Sequence, residues 1–157
     1  MTDNKQRTTD QPMLIALRPA FADDFDYCRR LYFAEEEWLM EELNLDRAAL
    51  AATLQQKWGP AQVRIITLDG SDVGWVQSFT QEGELFIGEI VIDGPFQRKG
   101  IGTEVINRLI GEAARLNQAV RLSVAKINPA LRLYERLGFE VTHKDDRKYY
   151  MKRDATG

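Results

Sequence analysis

The spacing of apolar residues changes period along the chain. Leu14–Leu17 is a short apolar run closed by Arg18-Pro19, which predicts a first strand. Ala22-Asp23-Asp24 then offers capping side chains. From Phe25 the apolar positions fall at helical spacing through Cys28, Leu31, Tyr32 and Phe33. Trp38, Leu39 and Leu43 carry a second helical stretch. Asp46 can cap a third helix that turns Leu50 and Leu54 inward and stops at Gly59-Pro60.

The period then shortens. Val63–Leu68 and Val73–Phe79 read as strands, separated by the turn signal Asp69-Gly70. After Gln81–Glu84, the run Leu85–Ile92 is nearly all apolar, as in a strand buried on both faces. These three strands form an antiparallel meander. A glycine-bearing loop, Asp93–Gly100, leads into a helix near Gly102–Leu116, with Val105, Ile106, Leu109, Ile110 and Ala113 at core spacing. Val120–Val124 is another strand. Asn128 can cap a helix with Pro129 at its first position, running to Leu137 and ending at Gly138. Phe139–His143 and Lys148–Lys152 close the chain as a hairpin across Asp145-Asp146. The expected fold is a mixed α/β (α+β) domain, helices flanking a largely antiparallel central sheet. Met1–Gln11 is polar apart from its first residue, so residues 1–12 are expected to be a disordered tail and 13–153 one domain.

Composition narrows the chemistry. The 157 residues include one Cys and one His, with 21 basic and 24 acidic residues. One Cys forms no internal disulfide, and Cys28 and His143 alone are too few for a zinc site, so no metal is expected. The slight acidity gives no nucleic-acid footprint. No apolar run reaches membrane-spanning length, and the start has no apolar signal core. The default expectation is a cytoplasmic protein. Cys28 lies on an apolar stripe and reads as a small buried hydrophobe. His143 reads as a surface group.

The segment Gln97-Arg98-Lys99-Gly100-Ile101-Gly102-Thr103 follows a buried strand and opens a helix. Free N–H groups and a partial positive charge gather at a helix start, glycines let an anion come close, and Arg98 and Lys99 add charge. A pyrophosphate or similar anion is the expected ligand. Two other glycine loops are excluded. Val105 stands where a dinucleotide fingerprint needs its third glycine, and Glu104 follows Thr103 where a P-loop needs Gly-Lys-Ser/Thr.

With its context, this segment resembles the acetyl-CoA signature of the GNAT N-acetyltransferase superfamily, Q/R-x-x-G-x-G/A. Ile90–Asp93 resembles the strand before it. Asn128-Pro129-Ala130-Leu131-Arg132-Leu133-Tyr134, with Gly138-Phe139 beyond, is similar to the family's second motif, with one residue fewer between Asn and Tyr than its usual form. The resemblance spans roughly Leu14 to Lys152. It implies a sheet splayed between the fourth and fifth strands, with acetyl-CoA as co-substrate. The backbone of Val91, Ile92 and Asp93 would pair with the pantetheine. The loop Gln97, Arg98, Lys99, Gly100, Ile101, Gly102 and Thr103 would cradle the pyrophosphate. Asn128 would contact the cofactor between the strands. Tyr134 would protonate the departing thiolate, a phenol of pKa about 10 serving a thiol of about 8.5. The implied reaction is direct attack of a primary amine on the thioester in a ternary complex. An acyl-CoA-binding module without activity and an acyltransferase with another donor or acceptor stay open. Relatives are often dimers, so a homodimer stays open too.

The base is where this sequence departs from relatives. Their usual base positions are occupied by Phe86 and Ser123, neither of which takes a proton. Glu89 and Glu84 are the nearest carboxylates. Strict alternation puts Glu89 on the face opposite Phe86, and a bulge would reverse that. Glu89 is taken as the candidate base. The acidic run Glu35-Glu36-Glu37 with Glu41-Glu42 suits a cationic amine or is a solvated helix face. Tyr32, Glu36 and Trp38 are the candidate substrate contacts. Tyr149 is a lesser polar candidate, and Trp58 and Trp75 line either an acceptor pocket or the core.

Overall fold

The computed structural model describes residues 14–155. The expected tail, 1–12, lies outside the described residues. Seven strands form one sheet: β1 (Ile15–Pro19), β2 (Val63–Leu68), β3 (Ser71–Gln81), β4 (Glu84–Ile92), β5 (Val120–Ala125), β6 (Glu140–Lys144) and β7 (Lys148–Arg153). Four helices accompany them: α1 (Phe25–Glu42), α2 (Arg47–Lys57), α3 (Ile101–Arg115) and α4 (Ala130–Arg136). The strand order is β1-β2-β3-β4-β5-β7-β6, antiparallel throughout except for the β4–β5 pair.

Each face of the sheet has its own core. The α3 side buries Ile101, Val105, Ile106, Leu109 and Ala113, one stripe of a single helix, against Ile66, Leu85 and Val120. Each of these side chains larger than alanine contributes about 1.5–3 kcal/mol by leaving water. The opposite face buries Cys28 and Leu31 of α1 and Leu54 of α2 against Ile65, Trp75 and Val91. Cys28 is fully buried, and burial pushes its thiol up to about 12. Trp58 and Trp75 belong to this core, and Trp38 is exposed.

Two local expectations change. The two helical stretches before Asp46 are one continuous helix, α1. Its glutamates interrupt the apolar stripe in sequence without interrupting the backbone ladder. Pro129 occupies the cap position of α4 rather than its first turn, and Asn128 Oδ1 accepts from Ala130 N–H at 2.9 Å. Asp46 caps α2 as expected, accepting from the N–H groups of Ala48 and Ala49.

Candidate functional site

The site begins where the sheet stops pairing. β4 and β5 are in register only at Leu85–Val120 and Phe86–Arg121. Beyond Phe86 the β5-facing edge of β4 has no strand partner among the described residues. Asp93 N–H donates to Val73 O on β3 at 2.9 Å. Successive residues of a strand direct their N–H and C=O to opposite edges. Ile90 and Ile92 therefore turn theirs to the open edge, and Val91 and Asp93 turn theirs toward β3. Of the three backbone positions expected from sequence, Ile92 faces the opening. Ile90, which strand alternation alone could have supplied, joins it.

The loop after β4 is built to gather N–H groups. Arg98 has φ +63° and Gly100 φ +84°, both left-handed. A non-glycine residue there costs about 1–2 kcal/mol, so the loop holds Arg98 against its own preference. Alternating backbone handedness of this kind forms an anion-binding nest. It feeds directly into α3, whose first amides, Ile101, Gly102 and Thr103, precede the first intrahelical bond, Glu104 N–H to Gly100 O. The arrangement can hold a phosphate group by backbone amides, with Arg98 and Lys99 beside it.

Gln97 is exposed but tied down. Its Nε2 donates to Ile92 O at 2.7 Å and to Glu35 Oε1 at 2.8 Å, while Glu35 Oε2 accepts from Gly94 N–H at 3.0 Å. One carboxylate on α1 thus pins the start of the loop to the end of β4. Sequence reasoning missed this role for Glu35 because its partners are far away along the chain.

The central chemical group is Glu89. Gln77 pairs with Glu89 and Ser78 with Ile87, so Gly88 is an extra residue in β4. This is a β-bulge, and it reverses the alternation. Glu89 then shares a face with Phe86 and Val91, on the side of α1. Burial pushes its carboxyl up to about 7, with the charge of Glu36 adding and Lys148 and Lys57 opposing. Glu36 rises to about 7 as well, from burial and from its neighbour Glu35. Tyr134 of α4 is buried, edge-on to Phe139. Burial first, then Glu89 and Glu36, raise its hydroxyl to about 12. Tyr32, one helical turn before Glu36, is pushed up by burial and by the same two carboxylates. Glu89, Glu36, Tyr134 and Tyr32 are therefore one electrostatic cluster.

Other candidates fall outside it. Glu84 is ion-paired with Arg121 and, at 3.2 Å, with Lys152, and its hydrogen bond from Arg121 holds it below the usual carboxylate range. That makes it a poor base. Trp38 is two positions from Glu36, about 200° around the helix, and does not share its face. Tyr149 packs under the Lys126 ammonium, 5.6 Å from its ring centre. Of the acidic run, Glu35 serves the loop, Glu36 the cluster, and Glu37 is exposed.

A cleft of about 250 Å³ lies alongside, lined by residues that include Phe79, Phe86, Ser123, His143 and Tyr150. Phe86 and Ser123 both line it.

The comparisons with known proteins agree with this geometry. A family model described as the acetyltransferase (GNAT) family matches residues 23–139. No curated protein matches the chain. Among solved structures, PaiA N-acetyltransferase from Thermoplasma acidophilum, in complex with coenzyme A, superposes with a TM-score of 0.75 at 13% identity, covering 90% of this chain and 99% of that one. A ribosomal-protein alanine N-acetyltransferase from Escherichia coli gives 0.72 at 17% identity, covering 90% and 94%. Ard1 from Thermoplasma volcanium gives 0.66 at 23% identity, covering 89% and 97%. At these identities the likeness speaks for the fold, splayed sheet included.

Proposed function

Since the chain belongs to the GNAT acetyltransferase family, we propose that it transfers the acetyl group of acetyl-CoA to a primary amine by direct attack in a ternary complex. The observation that carries this reading is the Gly88 bulge. It sets Glu89, raised to about 7, on the α1 side of the sheet, where its charge and that of Glu36 reach Tyr134.

Acetyl-CoA, when bound, supplies the thioester carbonyl. The nest at Arg98–Gly100 and the first amides of α3 hold its pyrophosphate, and the open edge at Ile90 and Ile92 pairs with its pantetheine. The Ile92 N–H, turned to the open edge, would donate to the carbonyl oxygen as it gathers charge. Glu89 takes one proton from the bound ammonium, which frees the nitrogen lone pair. A C–N bond forms as the C–S bond breaks. Tyr134 donates a proton to the departing thiolate, and the second amine proton leaves through solvent. The net products are the amide, the free thiol of CoA and one proton.

Base and acid are coupled. A hydroxyl near 12 is a reluctant donor to a thiolate whose acid is near 8.5. Part of that elevation comes from the charge on Glu89. Once Glu89 carries the amine proton that charge is gone, and Tyr134 becomes the stronger acid when the thiolate needs one.

Thiol release from acetyl-CoA across a panel of primary amines tests the proposal, preceded by a thermal shift with CoA. At 100 times its dissociation constant a ligand stabilises by about 2.7 kcal/mol. A shift with amine-dependent thiol release is the expected result. A shift with no release from any amine would leave only a binding module, and no shift with CoA or acetyl-CoA would remove the cofactor reading altogether.

A further inference from the structure

The cleft reaches β4 at Phe86 and the bulge residue Gly88, next in sequence to Glu89, and has a composition that the acidic run of α1 does not suggest. Four rings from four strands border it. Phe79 and Phe86 are cross-strand partners on β3 and β4, stacked with centres 5.4 Å apart and planes at 2°. His143 and Tyr150 are partners on β6 and β7, stacked at 4.4 Å and 3°. Ser123 of β5 pairs with Tyr150 and joins the two sets across the floor.

The second pair is fixed in place although it lies at the sheet edge. The Tyr150 hydroxyl donates to Asp145 Oδ2 at 2.8 Å. Asp145 is itself fixed by accepting from the N–H groups of Arg147 and Lys148. Thr142 Oγ1 lies 3.0 Å from His143 Nδ1 and donates to Tyr150 O at 3.1 Å. A surface stack tied down at both members is a preorganised wall.

Charge is distributed unevenly along the cleft. Glu89 and Glu36 stand toward the opening between β4 and β5. Arg121, the cation among the lining residues, is already paired with Glu84. The face therefore offers carboxylates at one end and an aromatic surface over the rest. A chain of several ammonium groups finds a carboxylate for its first charge only. Size agrees with a small ligand: a dry cavity of about 150 Å³ holds a benzene, and this cleft has about 250 Å³.

We propose that the acceptor is a primary amine joined by a short linker to a single aromatic ring, the ring lying between the Phe79–Phe86 and His143–Tyr150 pairs with the ammonium at Glu89. This rests on the acetyltransferase reading of the same site. Flat rings offset or edge-on against these walls gain contact that a linear alkyl chain does not.

Calorimetric titration of the CoA-bound protein with 2-phenylethylamine, n-butylamine and spermidine tests it independently of turnover. The expected result is a dissociation constant for 2-phenylethylamine at least tenfold below that for either other amine. Phe86→Leu keeps apolar bulk on β4 and removes the ring, so it should compress the ratio of phenylethylamine to butylamine affinities toward one. His143→Ala, on the exposed β6, should compress it in part without touching either core. A wild-type ratio near one, tighter binding of spermidine, or a ratio that both variants leave intact overturns the proposal. Thiol release from acetyl-CoA with the same three amines separates the two readings. Preferential binding without release sinks the acetyltransferase reading and keeps the cleft as an aromatic-amine binding site. Release from all three amines at similar kcat/KM does the reverse.

Discussion

Replacing Glu89 by Gln should make the protein more stable and less active at the same time. Glu89 has an ordinary value of 4.5 and is raised to about 7 in the folded chain, chiefly by burial. The folded state therefore holds the proton more tightly than the unfolded state does. Stability is lost as pH rises through the window from 4.5 to about 7, and the loss is complete above it. At about 1.4 kcal/mol for each pH unit of that window, the full cost approaches ~3 kcal/mol. Partial exposure of the side chain lowers the realised figure, so about 1–3 kcal/mol is the working range. Glutamine has the same shape and no charge to bury. Glu89→Gln should thus raise Tm by roughly 3–10 °C at pH 8, using about 2–4 °C per kcal/mol for a chain of this size, and by almost nothing at pH 4.5. Calorimetric melts of both proteins without CoA at pH 4.5, 6 and 8 measure this directly. Turnover with an accepted amine should fall by about 100-fold or more, the usual contribution of a positioned base. A variant no more stable than its parent at pH 8, or a stability difference that ignores pH, would refute the desolvated carboxylate and the base role built on it.

Three further outcomes follow from the same geometry. Tyr134→Phe should lower kcat by about 100-fold while changing the CoA dissociation constant far less, as measured by steady-state kinetics and calorimetry. Glu36→Gln removes the like charge that helps to raise Glu89, so the acid limb of the pH profile of kcat/KM should move to lower pH; an unmoved limb would separate the two carboxylates. Gly74→Ala would place a Cβ 2.4 Å from Val91 O and 3.4 Å from Ile66 Cδ1, and a thermal melt should show a loss of about 1–3 kcal/mol, typical of an overpacked core.

The helix α3 and the glycine loop before it were readable because both are local: the apolar stripe and the Gly100 position sit within one stretch of chain. Glycine inside an otherwise apolar strand is a known sign of a bulge, so Gly88 marked where alternation fails, and Glu89 could be named though its face could not be fixed. What the sequence hid is what long-range contact decides. Glu35, Glu36 and Glu37 are identical letters, yet the turn of α1 sends one to Gly94 and Gln97, one to Glu89 and one to solvent. The aromatic walls of the cleft were equally invisible. Each pair is local to its own hairpin, but their meeting depends on β7 inserting between β5 and β6, which no local pattern announces.

The unpaired edge of β4 has a consequence for how the chain behaves among its neighbours. A free strand edge is a template for another chain's backbone, and proteins usually blunt it with charge, a bulge or a cover. At the margin of the sheet β1 does this with Pro19, which has no N–H to offer. β4 keeps the N–H groups of Ile90 and Ile92 and the Ile90 C=O available, Gln97 having taken the Ile92 C=O, and is protected in another way. Its open edge lies in the middle of the sheet, inside a wedge whose other wall is β5 and whose apex is the Phe86–Arg121 pair. The wedge admits one narrow, extended chain bearing spaced amides. It leaves no room for a strand that must bring the rest of a protein with it.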